Sequence, residues 1–327
     1  MAEFIVGQHA TRDAIGGADT TRLIPMPILP LSAVFLTIEA NLIAANTADI
    51  WTQLLDQLKS IQFRYRGTQI WAVRGTDLYR TARALGIWGC RPEHQTQGAA
   101  ARRILTLCIP FGRRLFDPDE AFPAVAKGET ELFIDITAAS ASYNTLKFTV
   151  ESLQLPGATP KNFLRCTTIS DTPTATGDKD YDLPRAAPIL AVGFVQTNSE
   201  PTAASPDIER VKILLNNQDY DYSLISSMLM RNLGALKKQH GVDLWAHTHV
   251  ENTAGAYAQN ATSLTDNTST STEREFLWLE FDPLGDGQYA LPGPIAQDLK
   301  ARVNFNTAAA IRILPVELWQ PSIIFRK

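Results

Sequence analysis

Three local groups of side chains have the types that could do chemistry. His247 and His249 (AHTHV) stand two apart, a spacing that lets two imidazoles of one extended segment reach a single metal ion. No HExxH, third histidine or well-spaced carboxylate accompanies them, and the alternative is a pair of surface or polar-network histidines. Asp219 and Asp221 follow Asn216 and Asn217 (NNQDYDY), which has the oxygen-rich composition of a calcium loop. The distal glutamate of such a loop is missing, so a polar turn is the better reading. Asp117, Asp119 and Glu120 (DPDE) lie beside Arg113 and Arg114. Glycoside hydrolysis needs two carboxylates facing each other about 5 to 10 Å apart across a cleft. Acids this close within one Pro-containing loop read instead as a solvated, charge-paired turn.

Other signatures are missing from the sequence: it has no Walker loop, no GxSxG and no dinucleotide fingerprint. Cys90, Cys108 and Cys166 are odd in number, form no CxxC pair, and read as buried free thiols. Asn260-Ala-Thr and Asn267-Thr-Ser satisfy the glycosylation pattern, which is common by chance, and no glycan is assigned. The expectation is therefore no catalytic, cofactor-binding or metal-binding residue and no cofactor.

The elements that would position these groups are mostly strands. The chain has 327 residues, 45% of them hydrophobic and 20% charged, enough for a real core in two domains of about 150 residues or in one large one. A net charge of −4 gives no overall footprint for phosphate backbones, so no specific nucleic-acid binding is expected. No apolar run is long enough for a membrane-spanning helix, and the N-terminus lacks a signal peptide's pattern, which predicts a soluble protein made in the cytoplasm. Leu31 to Ala44, Ser60 to Trp71, Ile104 to Phe111, Glu131 to Thr137 and Leu146 to Leu155 are short and rich in β-branched or aromatic residues. Several alternate with the period of a half-buried strand. Asp77 to Gly86 predicts a short helix capped by Thr76 or Asp77 and stopped by Gly86; Tyr222 to His240 predicts a longer one.

An internal repeat organises these elements. Ile61 to Gly86 and Val211 to Gly234 share the order strand, polar turn, aromatic-bearing stretch and helix ending in Leu-Gly, at an offset of about 150 residues. Downstream, each copy has a polar segment, a strand ending in an aromatic (Phe111; Phe281) and a Pro/Gly/Asp loop. A strand running into Thr-Ala-Ala (Phe133 to Ala139; Val303 to Ala309) and a closing strand (Leu146 to Leu155; Ile311 to Trp319) complete it. Upstream, Leu31 to Ala44 matches Pro188 to Thr197. A period this long means duplicated domains, not a solenoid. The predicted organisation is an N-terminal arm over 1–30, a first sandwich over 31–165, a linker over 166–187 rich in Pro, Thr, Asp and Gly, and a second sandwich over 188–327. Arg12 and Arg22 make the arm a candidate for lipid phosphates or neighbouring copies; a frayed terminus is the alternative. Asn252 to Thr272 has almost nothing to bury and reads as a solvated loop.

About eight strands per copy, long loops and one inserted helix fit an all-β pair of tandem eight-stranded jelly-roll sandwiches, a double jelly roll, better than an up-and-down barrel. In QFRYRGTQIWAV leading to DLYRTARALG, in ILTLCIPFG, and in the pair ELFIDITAA and LKFTVESLQL with their weaker second copies, the chain resembles the double jelly-roll major capsid proteins. That lineage joins adenovirus hexon to tailless, membrane-containing bacteriophages and archaeal viruses. The resemblance runs from Leu31 onward and implies a structural protein rather than an enzyme, a viral coat component located in the virion. It implies homotrimers of pseudo-hexagonal outline tiling an icosahedral capsid. Implied partners are neighbouring capsomers, minor capsid proteins and an internal membrane met through the N-terminal arm. Arg83 and the Arg113-Arg114 pair are candidate interface residues. Two other readings stay open: a carbohydrate-binding or carbohydrate-cleaving tandem sandwich, lectin-like or accessory to a glycoside hydrolase, or a minor vertex or spike protein. The first would need exposed rows of aromatics, whereas Trp71, Trp278 and Trp319 lie in predicted strands and read as core.

Overall fold

Period-two alternation hides one face of each strand, and the strands pair so that those faces meet. The structure, a computed structural model, describes residues 3–15, 21–42, 51–87, 93–94, 102–137, 143–197, 206–219, 225–226, 229–230 and 275–324. The described residues fall into two compact units, 3–163 and those from 164 onward.

The first unit contains β1 (Ile5–Ala14), β2 (Thr21–Pro25), β3 (Leu31–Leu42), β4 (Leu58–Tyr65), β5 (Thr68–Val73), β6 (Glu93–His94), β7 (Arg102–Pro110), β8 (Thr130–Ile136) and β9 (Tyr143–Gln154). One sheet has the order β1-β9-β3-β7-β6 and the other β5-β4-β8-β2. Alternation in β8 is strict, with Leu132, Ile134 and Ile136 buried and their neighbours half-buried. Phe122 sits among Phe63, Phe111 and Phe163 at ring separations of 5.1, 5.5 and 5.4 Å, so this core is partly an aromatic cluster.

The second unit contains β10 (Phe163–Thr167), β11 (Ile169–Asp171), β12 (Gly177–Asp182), β13 (Ile189–Val195), β14 (Ile208–Leu215), β15 (Gln218–Asp219), β16 (Ile225–Ser226), β17 (Phe276–Glu280), β18 (Leu299–Phe305) and β19 (Ile311–Trp319). Its sheets run β17-β13-β19-β10, with β11 also on β19, and β12-β18-β14-β15, with β16 also on β14. The core here is largely aliphatic, from Val192, Ile213, Leu279, Val303 and Ile313.

The two units share one strand order. In the first, β1-β9-β3-β7 faces β2-β8-β4-β5; in the second, β10 and β11 replace β1, β12 replaces β2, and β19-β13-β17 and β18-β14-β15 follow suit. First and last strands lie side by side in each, the interleaving that makes a jelly roll from two Greek keys. The fold is an all-β double jelly roll.

This order corrects the predicted arm and linker. β1 pairs antiparallel with β9, and β2 with β8, so residues 5–14 and 21–25 are the first two strands of the first jelly roll. Within 166–187, β11 pairs with β19 and β12 with β18, giving the same two strands of the second. Edge strands carry little of the apolar alternation that marks inner strands. β1 has bulges on either side of Ala10 and a left-handed residue at Arg12 (φ 46°); β12 buries only Tyr181.

The helix α1 (Trp51–Asp56) precedes β4, and α2 (Gly75–Ala84) follows β5. α2 starts two residues before the predicted Asp77, at Gly75, with no side-chain cap, because Thr76 and Asp77 are buried inside its first turn. A Cβ at Gly75 would come within 2.5 Å of the Leu55 carbonyl, so this start needs glycine. Gly86 ends the segment with φ 76°, as predicted. The second predicted helix cannot begin at Tyr222, because Ile225 and Ser226 pair with β14. Leu229 and Met230 are helical, and the Ser226 hydroxyl accepts from the Leu229 N–H at 3.2 Å; the rest of that helix lies outside the described residues.

Candidate functional site

His247, His249, Asp221, Cys90 and the segment Asn252 to Thr272 lie outside the described residues. Asp219 is in β15, behind the turn at Asn216 and Asn217 (φ 53° and 61°). The matching turn of the first unit has Arg66 and Gly67 at φ 46° and 79°. Consecutive positive φ values are what a two-residue hairpin requires, and they explain the Asn-Asn pair without an ion. Asn216 Oδ1 also accepts from the N–H groups of Gln297 and Asp298 at 2.8 and 3.1 Å, tying the turn to the next loop.

The DPDE acids are held within their loop. Glu120 is buried and accepts from Arg113 through Nε at 2.8 Å and through the backbone N–H at 2.9 Å. Asp119 pairs with Lys161 at 3.1 Å, and Asp117 accepts from the Asp119 N–H at 3.0 Å. Glu120 and Asp117 are held from within the loop and Asp119 by a lysine 42 residues on, which is loop construction, not an acid pair across a cleft.

One pair that sequence reading missed has the form of a nucleophile and its base. His9 Nε2 lies 2.7 Å from Ser152 Oγ, brought together by the β1–β9 register across 143 residues. Nothing local in the sequence signals it. Ser152 is fully buried, however, and also accepts from Gln154 Nε2 at 3.0 Å. A nucleophile must reach a substrate; this hydroxyl clamps an edge strand. Burial depresses the His9 pKa below its usual value.

Two further charged groups brace the second unit. Glu317, fully buried on β19, pairs with Arg165 of β10, whose guanidinium stacks over Trp319 at 4.6 Å. Desolvation raises the Glu317 pKa, and the charge and hydrogen bond of Arg165 oppose that rise. Asp171 receives hydrogen bonds from Lys179 and from the Tyr181 hydroxyl, both at 2.7 Å, which hold its pKa below the ordinary carboxylate value. Burial, followed by the hydrogen bond to Asp171, pushes the Tyr181 pKa up.

The arginines expected to meet lipid are already paired. Arg12 reaches Glu39 at 3.0 Å, and Arg22 reaches Asp13 at 3.4 Å. Arg83 is half-buried on α2, and Arg114 is exposed beside Phe116. Trp71, Trp278 and Trp319 are all buried, so none of them offers a stacking face for a sugar. Among the described residues, exposed large apolar side chains occur in both units, with Phe4, Ile5, Val6 and Phe116 in the first and Leu284, Tyr289 and Ile295 in the second. The Phe4 and Phe116 rings meet edge to face at 5.2 Å.

Two jelly rolls of one strand order define a double jelly roll. Solved structures with this architecture are similar over nearly the whole chain. The major capsid protein P2 from bacteriophage PM2 matches over 98% of this chain and 99% of its own, with a TM-score of 0.62 and 12% identity. The MCP of STIV, the Sulfolobus turreted icosahedral virus, matches over 98% and 97%, with a TM-score of 0.66 and 11% identity. The PBCV-1 virus capsid matches over 97% and 94%, with a TM-score of 0.58 and 12% identity. No protein-family model matches the sequence, and no curated protein matches it. At these identities the likeness is one of fold.

Proposed function

We propose that this protein is a viral major capsid protein whose homotrimers, pseudo-hexagonal in outline, tile an icosahedral shell. The observation that carries the reading is the duplication of one strand order in both units, within a fold similar from end to end to capsid proteins. Three copies of a two-unit chain present six similar faces, so a closed three-fold oligomer can fill positions of local six-fold packing. The protein would be made in the host cytoplasm and end in the virion. Minor capsid proteins and a membrane beneath the shell are further partners that this reading implies.

The role is structural, not enzymatic. The Ser152 hydroxyl is buried, and Asp117, Asp119 and Glu120 have loop partners, which supports a chain whose polar groups build instead of react. Burial of Trp71, Trp278 and Trp319 weighs against the carbohydrate-binding reading. Light scattering on the purified chain tests the proposal: the expected mass is three times 36.0 kDa, and a monomer at every concentration would overturn it.

A further inference from the structure

The β1–β9 ladder passes over one residue. Gln8 pairs with Glu151 and Ala10 with Val150, so His9 is the extra residue of a bulge, and its side chain supplies the link there. His9 Nε2 lies 2.7 Å from Ser152 Oγ, which Gln154 Nε2 also approaches to 3.0 Å. Ser152 and Gln154 are both buried. Room for this group comes from Gly7, where a Cβ would sit 2.3 Å from Gln154 Nε2 and 3.3 Å from Ser152 Oγ.

One placement of protons serves all three side chains. An amide nitrogen can only donate, so Gln154 occupies one lone pair of the Ser152 hydroxyl. Among the described residues, the hydroxyl's single proton then has one acceptor in reach, His9 Nε2. The imidazole is therefore neutral, with its own proton on Nδ1. Protonation turns Nε2 into a donor. Two N–H groups then point at one buried oxygen, and the hydroxyl proton loses its only partner.

Among the described residues, the charges on the strands packed here are engaged elsewhere. Arg12 of β1 reaches Glu39 of β3, and Asp13 reaches Arg22 of β2. On β9, Glu151 adjoins Ser152 and so points to the opposite face, and Lys147 stands opposite Ala14 at the far end of the register. Burial of the ring acts in the same direction, holding its pKa below 6.5. We infer that His9 is an acid-sensitive latch, whose protonation loosens β1 from β9 while the inner strands of the first unit stay paired. The device needs only the first unit, so it stands apart from the capsid reading.

The test is amide protection in β1 and in the inner strand β8, taken relative to the intrinsic exchange rate, for the wild-type chain, His9→Gln and Gln154→Glu. Wild-type β1 should open about tenfold more often at about pH 5 than at about pH 7.5, with β8 unchanged. His9→Gln cannot titrate in this range and should lose the response. Gln154→Glu supplies a carboxylate that accepts the hydroxyl proton, which frees Ser152 Oγ to receive Nε2–H of the imidazolium. Acid should then tighten β1 instead. Equal wild-type protection at the two pH values, a response that survives in His9→Gln, or loosening in Gln154→Glu would each overturn the latch. The wild-type chain decides the matter even if the variants fold poorly. Opening of β1 should begin to rise below pH 6.5 and level off once the His9 Hε1 resonance has titrated; a rise that continues beyond that titration would assign the response to other groups.

Discussion

β1 and the β10–β11 pair hold the same place in two copies of one topology, yet their surroundings are opposite. β1 is mostly exposed and is clamped by a neutral contact, His9 to Ser152. In β10, Phe163, Leu164 and Cys166 are buried, and the clamp is the ion pair of Arg165 with Glu317. Topology decides which strand a first strand lies beside; side chains decide whether its surface is finished.

The comparison can be broken at several strengths. Phe122→Ala removes the ring at the centre of the first unit's aromatic cluster and should cost about 3–5 kcal/mol in denaturant unfolding. Glu317→Ala removes the buried carboxylate facing Arg165. It should cost about 3 kcal/mol, whereas replacing both partners with apolar residues of similar size should be close to neutral. Ser152→Ala deprives His9 and Gln154 of their shared partner and should cost about 1–2 kcal/mol, read as faster amide exchange along β1. Lys161→Ala breaks an exposed pair with Asp119 and should cost at most about 1 kcal/mol.

Acid acts on these groups of the two units with the same sign but in different pH windows. The folded state holds the His9 pKa below 6.5, so the unfolded chain binds the proton first. The stability His9 contributes is therefore complete above pH 6.5 and is lost as pH falls through and below that value. Asp171 and Asp180 have folded pKa values below 3.8, owing first to hydrogen bonds from Lys179 and Arg302 respectively. Their contribution persists until pH falls below 3.8. Amide protection, taken relative to the intrinsic exchange rate at each pH, should thus be weaker at about pH 5 than at neutrality in β1 and unchanged in β12; equal loss in both would remove the distinction.

Inner strands were legible because burial imposes alternation: Ile311 to Trp319 is β19 to the residue, and Leu31 opens β3 as expected. The paired aromatics Phe111 and Phe281, matched in the repeat, are both fully buried. The first two strands of each jelly roll were not legible. β1 lies at an edge with its alternation broken by bulges, and β12 (GDKDYD) is charged because it guards an edge. Composition that reads as arm or linker is thus the composition of an outer strand. Ser152 and His9 illustrate a second limit, since only the register of β1 on β9 brings them together. The DPDE loop was readable as a charge-paired turn because Arg113 lies seven residues from Glu120, whereas the burial of Glu120 and the pairing of Asp119 with Lys161, 42 residues on, left no local signal.

Negative-stain imaging of the purified oligomer tests the capsid reading most directly. Class averages should show a particle of three chains with six lobes of similar size in a hexagonal outline, two lobes from each chain. A three-lobed particle, or single chains alone, would contradict the claim that the duplicated jelly roll exists to imitate six-fold symmetry.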